Sequence, residues 1–80
     1  MTSPVYKKIT LVGTSRQSIE GAVQNAIATA STSLRHLSWF EINHVRGHIA
    51  DGKIDSYQVE VAIGFSLEGQ EDAVHIMTAL

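Results

Sequence analysis

The apolar positions of this chain follow two periods. Val5 to Val12 alternates in part and is rich in β-branched and aromatic side chains, the pattern of a strand. From Ile19 onward the spacing changes. Ile19, Ala22, Val23, Ala26, Ile27, Ala30 and Leu34 mark one face of a helix. Several of these are alanine, so the face is flat and suits close approach to a sheet. Gly13 and Thr14-Ser15 are expected to end the first strand. Thr14-Ser15-Arg16-Gln17 fits a capping box for the helix, which should run to about Ser33 or Leu34. Leu37–Ala50 and Lys53–Leu67 again read as strands. Asp51-Gly52 between them is a strong hairpin signal, because a type I′ turn needs positive φ at both central residues. Glu68 to Leu80 mixes acidic, glycine and apolar positions and reads as a frayed tail or a short helix at an assembly contact.

A two-residue turn at Asp51-Gly52 sets the register of the hairpin, with Ala50 opposite Lys53. Phe40 then falls opposite Ile63, Ile42 opposite Val61 and His44 opposite Val59. That face is apolar and is expected to pack on the helix. The other face sets Trp39 opposite Gly64, Glu41 opposite Ala62, Asn43 opposite Glu60 and Val45 opposite Gln58, and cross-strand neighbours interact directly. Trp39, the only tryptophan, adjoins Phe40, and strand alternation sends the two rings to opposite faces. One ring must face away from the core. Glycine opposite the indole leaves room for a planar ligand to stack, and Gln58 on the same face offers both an amide donor and an acceptor. Such a pair suits a heterocycle whose edge alternates donors and acceptors. A bulge would shift this register.

Length and charge narrow the alternatives. Eighty residues allow one domain, and such a chain buries only about 60–65% of its unfolded surface. With no cysteine for disulfides, association with other copies is the available supplement to a small core. The absence of cysteine is also weakly consistent with a reducing compartment. The N-terminal residues lack the apolar core of a signal peptide, and no stretch approaches the roughly 18 apolar residues of a membrane span, so a cytoplasmic location is expected. A net charge of −2 with scattered basic residues argues against broad nucleic-acid binding.

Each candidate also has a plain structural explanation. Trp39 is as readily a subunit-contact residue as a ligand platform, and Gln58 a solvated strand residue. Arg46-Gly47-His48 could form an anion-binding corner, but strict alternation puts Arg46 on the helix side, opposite Tyr57, and a binding role would require a bulge or an edge position. His44 and His48 lie about 13 Å apart along a strand and cannot share one metal within a chain. His36 and His75 add no spacing signature, so no metal is expected. Thr14, Ser15 and Ser18 are accounted for by capping. Gly13-Thr14-Ser15 could hold an anion weakly, but a strand-to-helix turn explains it better. No nucleophile–base–orienter set and no phosphate-binding glycine loop is present, so the chain is not read as an enzyme.

One set of segments, taken together and in order, resembles a known family. Val5-Tyr6-Lys7-Lys8, Val12-Gly13-Thr14-Ser15, Leu37-Ser38-Trp39-Phe40-Glu41, Val45-Arg46-Gly47-His48-Ile49, Tyr57-Gln58-Val59 and Val61-Ala62-Ile63-Gly64-Phe65 look like the dodecins. The resemblance covers about residues 4–68. It implies an α+β fold, β-α-β-β, with a three-stranded antiparallel sheet partly wrapping one helix, assembled as a hollow homododecamer. It makes residues 1–68 a flavin-binding domain and 69–80 a C-terminal tail. It also implies flavin storage and sequestration with quenching of flavin photoreactivity, the ligand being FMN foremost, or riboflavin or FAD. Trp39 matches the stacking tryptophan at subunit interfaces, and Gln58 the glutamine that hydrogen-bonds the isoalloxazine edge. Arg46 matches a position at the flavin site, toward the phosphate or ribityl chain, and Tyr6 lies in the matching N-terminal strand near the ligand. Some bacterial dodecins resemble coenzyme A binders through arginines on the helix and final strand. Thr29 and Ser66 stand at the comparable positions here, with Arg35 remaining, which counts against a coenzyme A site. The alternative is a structural shell-forming homo-oligomer in which Trp39 only makes subunit contacts.

Overall fold

A computed structural model describes residues 3–68 of the chain. Four elements follow one another: β1 (Tyr6–Ser15), α1 (Ile19–Ser31), β2 (Leu37–Ala50) and β3 (Lys53–Ser66). The three strands form one antiparallel sheet in the order β1-β3-β2. The fold is therefore the expected β-α-β-β. The tail assigned to residues 69–80 lies outside the described residues.

The helix buries Ala22, Val23, Ala26 and Ala30, four of the positions picked out by helical spacing. They meet Ile9 of β1 and Val59, Val61, Ile63 and Phe65 of β3, with Leu34 just beyond the helix. Alternate residues of the central strand β3 thus supply the sheet side of the core. Ile19, at the helix start, stays exposed.

Strand β1 does not stop at Gly13. It runs on to Ser15, with Gly13 opposite Val59. A Cβ at position 13 would stand 2.9 Å from the carbonyl carbon of Ala22, closer still to its oxygen, and 3.1 Å from Ala26 Cβ. Glycine here lets the helix backbone lie almost on the strand. Because β1 reaches Ser15, the cap moves downstream. Ser18 is the N-cap, and its Oγ accepts from Gly21 N–H at 2.8 Å. Ser15 Oγ accepts from the N–H groups of Gln17 and Ser18 and turns the chain between strand and helix. The capping box expected at Thr14–Gln17 is not formed. Regular helix ends at Ser31, and the carbonyl of Ala30 still accepts from Ser33 and Leu34 N–H beyond it.

The hairpin turns where expected, with Asp51 at φ 53°, Gly52 at φ 74°, and Ala50 opposite Lys53. The packing of β2 differs from expectation. Phe40 and Ile42 do stand opposite Ile63 and Val61, yet they are 51% and 46% exposed. The helix packs mainly on β1 and β3, and only the start of β2, at Leu37, joins the core. A helix is about 10 Å wide and strands are about 4.8 Å apart, so one helix covers two strands and leaves the third open. Val45, Ile49 and Ile54 are exposed as well, giving β2 and the hairpin end an uncovered apolar flank.

Replacing Gly13 with alanine is expected to destabilise the protein by roughly 1–3 kcal/mol through overpacking against the helix backbone. Urea denaturation at fixed protein concentration checks this, and an unchanged midpoint would show that the helix can retreat freely.

Candidate functional site

The site is built on the sheet face away from the helix, and three departures from strict pairing decide which side chains reach it. Pairing of β2 with β3 slips between Leu37 and Trp39, between Ile42 and His44, and between His48 and Ile49. The partners show which residue is extra each time: Ser38 and Asn43 on β2, and Asp55 on β3. A bulge of this kind re-aims the side chains that follow it. The slip at Ser38 lets Leu37 pack toward the core while Trp39 turns to the opposite face. The slip at Asn43 reverses parity again. His44 now pairs with Glu60, Val45 with Val59, and Arg46 with Gln58.

The register expected for this stretch is therefore corrected. His44 does not face Val59, Asn43 does not pair with Glu60, and Val45 does not face Gln58. Val45 joins the helix-side row with Val59, where it remains exposed. Arg46 moves to the helix-free face, beside Gln58. Two bulges place Arg46: the extra Asp55 on β3 moves its partner from Tyr57 to Gln58, and the extra Asn43 on β2 reverses the parity between Trp39 and Arg46.

Trp39 lies on this face opposite Gly64 and is 40% exposed. Its indole does not stand up from the sheet. A Cβ on Gly64 would come within 2.6 Å of Trp39 Cδ2, and closer to Cε2 and Cζ2. The ring-fusion atoms thus rest on the Gly64 backbone. Glycine opposite tryptophan does not leave an empty slot, as the sequence had suggested; the indole itself fills that space. One π-face is covered by backbone and the other is turned outward.

Two neighbours frame the ring. Tyr6, opposite Ser66 on β1, holds its ring centroid 6.5 Å from that of Trp39 at an interplanar angle of 59°. Lys8, opposite Gly64, donates across β3 to Glu41 Oε1 at 3.2 Å. Both ends of this ion pair are about half exposed, so its stabilisation is small, at most about 1 kcal/mol. It closes the face beside Ala62, which stands opposite Glu41.

A second cluster sits toward the hairpin end of the same face. Arg46 and Gln58 are register partners, flanked by His44 with Glu60 (Nε2 to Oε2, 3.9 Å) and His48 with Asp55 (Nδ1 to Oδ2, 3.2 Å). Gln58 and Gly64 are six residues apart on one strand, about 20 Å. Within one chain the structure therefore brings Trp39 together with Tyr6, and Arg46 together with Gln58, but does not join the two pairs. A three-ring heterocycle cannot reach from one pair to the other. Sequence reasoning missed Gly64 as the bed of the indole, although it had named that glycine as the cross-strand partner of Trp39.

Fold and face together define a class: a small β-α-β-β binding module with an aromatic platform on its open sheet face. The family model for dodecin matches residues 5–68. A dodecin of Thermus thermophilus is 50% identical over 64 residues, spanning 80% of this chain and 93% of that protein. A solved variant of the Thermus thermophilus dodecin, carrying phenylalanine for a tryptophan, superposes with a TM-score of 0.79 at 47% identity, covering 82% of this chain and 98% of its own. The dodecin of Streptomyces coelicolor superposes with a TM-score of 0.80 at 43% identity, covering 88% and 100%. The chain belongs to the dodecin family. Dodecins are binding and storage proteins, and flavin binding is their general role.

The corrected register is directly testable. Paired residues on antiparallel strands stand about 4.5–5.5 Å apart, within disulfide range. The double variant Arg46→Cys, Gln58→Cys is expected to lose its free thiols on mild oxidation, whereas Val45→Cys with Gln58→Cys should keep them. The reverse pattern, read by thiol titration, would reinstate the unbulged register counted from the turn.

Proposed function

We propose that this protein binds and sequesters flavin, FMN foremost, by stacking the isoalloxazine ring on the outward face of Trp39. The observation that carries this reading is the indole laid flat on Gly64 with one π-face open. Flat aromatic surfaces stack in offset fashion, and burying such a face removes a large apolar area from water. Flavin, when bound, supplies a redox-active and photoreactive tricycle. Trp39 offers it an electron-rich partner in van der Waals contact, the arrangement that quenches excitation. The reading is thus one of storage and protection without turnover.

The site is completed between protomers. Trp39 and Gln58 are too far apart to serve one ring from the same chain, so Gln58 and Arg46 of a neighbouring copy are the pair that meets it. Gln58 presents an amide donor and acceptor to the heterocycle edge. Arg46 presents a permanent fork of donors to a phosphate or to the ribityl hydroxyls. The uncovered flank of Phe40, Ile42, Val45 and Ile49 favours association of copies, since exposed apolar patches mark interaction surfaces. A closed homo-oligomer, twelve-membered as in the family, buries that flank and brings the two half-sites together. A cytoplasmic location fits the lack of cysteine, and no helix among the described residues is long and apolar enough to cross a membrane.

Titration of FMN fluorescence with the purified protein is expected to show quenching at micromolar concentrations. Trp39→Ala should weaken binding by roughly 1–3 kcal/mol, the scale of aromatic stacking on a heterocyclic base. Arg46→Ala should weaken FMN more than riboflavin, because only FMN carries the phosphate. Unquenched FMN, or unchanged affinity in the tryptophan variant, would remove Trp39 from the site and leave a shell-forming role.

A further inference from the structure

The proposed stacking needs an indole held in one plane, and most exposed tryptophans are not so held. We propose that Gly64 and Tyr6 are positioning residues that set the plane of the Trp39 ring, Gly64 as the surface beneath it and Tyr6 as the stop at its side. This rests on the reading of Trp39 as the stacking platform, but its physical content concerns the ligand-free protein.

Three observations support it. The first is contact. Ordinary carbon–carbon approach is about 3.5–4.0 Å, and a Cβ at position 64 would fall 2.6 Å from Trp39 Cδ2 and nearer to two other ring atoms. Any side chain there lifts or turns the ring. The second is that the backbone does not itself call for glycine. Gly64 sits in the central strand, paired on both sides with Lys8 and Trp39, and is not among the residues with positive φ. Glycine in such a strand is unfavourable by propensity. A glycine there without a backbone need points to a space requirement, and the space is filled by the indole. The third is the Tyr6 ring, tilted 59° against the indole at 6.5 Å, a geometry in which aromatic pairs attract. Tyr6 approaches from the β1 side and blocks the indole from swinging toward that strand. Arg46 and Gln58 can grip a heterocycle edge only if the platform presents the ring at one height and tilt. A group that sets that plane decides affinity without touching ligand.

This differs from a contact role for Tyr6. A direct contact would act through the phenol hydroxyl or through ring–ligand overlap, and would leave the ligand-free indole undisturbed.

The chain has a single tryptophan, so the near-ultraviolet circular dichroism above the tyrosine bands reports Trp39 alone. The experiment compares the wild-type protein with Gly64→Ala, Tyr6→Leu and Tyr6→Phe, each checked for unchanged assembled mass. Gly64→Ala and Tyr6→Leu are expected to shrink or shift the tryptophan band of the ligand-free protein and to lower FMN affinity about three- to tenfold. Tyr6→Phe keeps the ring and is expected to restore both. An unaltered tryptophan band in Gly64→Ala and Tyr6→Leu overturns the assignment, whatever happens to FMN. A Tyr6→Phe variant that loses affinity while its ligand-free band is normal also overturns it, making the hydroxyl a ligand contact. Should Gly64→Ala fail to assemble, the Tyr6 pair decides alone by the same criteria. If the bands move as expected while FMN affinity stays constant and Trp39→Ala also binds normally, positioning holds and the flavin reading of Trp39 fails.

Discussion

The site rests on one contact, an indole lying on the backbone of a glycine. Trp39 can turn a broad π-face outward only because Gly64 carries no side chain to prop it up. That contact in turn depends on the bulge at Ser38, which sends Trp39 to the open face while Leu37 stays with the core. Without the bulge, positions 37 and 39 would share a side, and either the core would lose a leucine or the platform its ring. A few backbone irregularities thus do what residue choice alone could not.

The second dependence is on the width of one helix. Because α1 covers β1 and β3, the long edge strand β2 carries an apolar row that the monomer does not bury. An exposed edge of this length is ordinarily a liability, and natural proteins cover it. In the proposed assembly, association of copies would cover it and also resolve the separation of Trp39 from Gln58, some 20 Å along one strand. Oligomerisation and ligand binding then become one problem for this chain, since the surface that needs a partner subunit and the site that needs a second set of polar groups lie on the same strand pair.

Much of this was legible in the sequence. The helical face was marked by Ala22, Val23, Ala26 and Ala30, and the hairpin by Asp51-Gly52, because both depend on local spacing and local φ preference. Trp39 opposite Gly64 followed from counting outward from the turn, because the slips at Asp55 and Asn43 cancel. What could not be read was the placing of the bulges. Ser38, Asn43 and Asp55 are ordinary strand-tolerated residues with no signature of an unpaired position, yet they decide where Trp39 and Arg46 point. The cap was misplaced because Thr14, Ser15 and Ser18 are all competent caps, and only the close helix approach over Gly13 keeps β1 extended to Ser15. The exposure of Phe40 and Ile42 was hidden for another reason: alternation reveals an apolar face but not which strand lies outermost.

The most direct measurement is a crystal structure of the assembled protein soaked with FMN. The isoalloxazine plane is expected to lie parallel to the Trp39 indole on the side away from Gly64, with Gln58 and Arg46 of a neighbouring copy at its edge. Flavin density elsewhere, or an indole turned edge-on to the sheet with its outer face against protein, would contradict it.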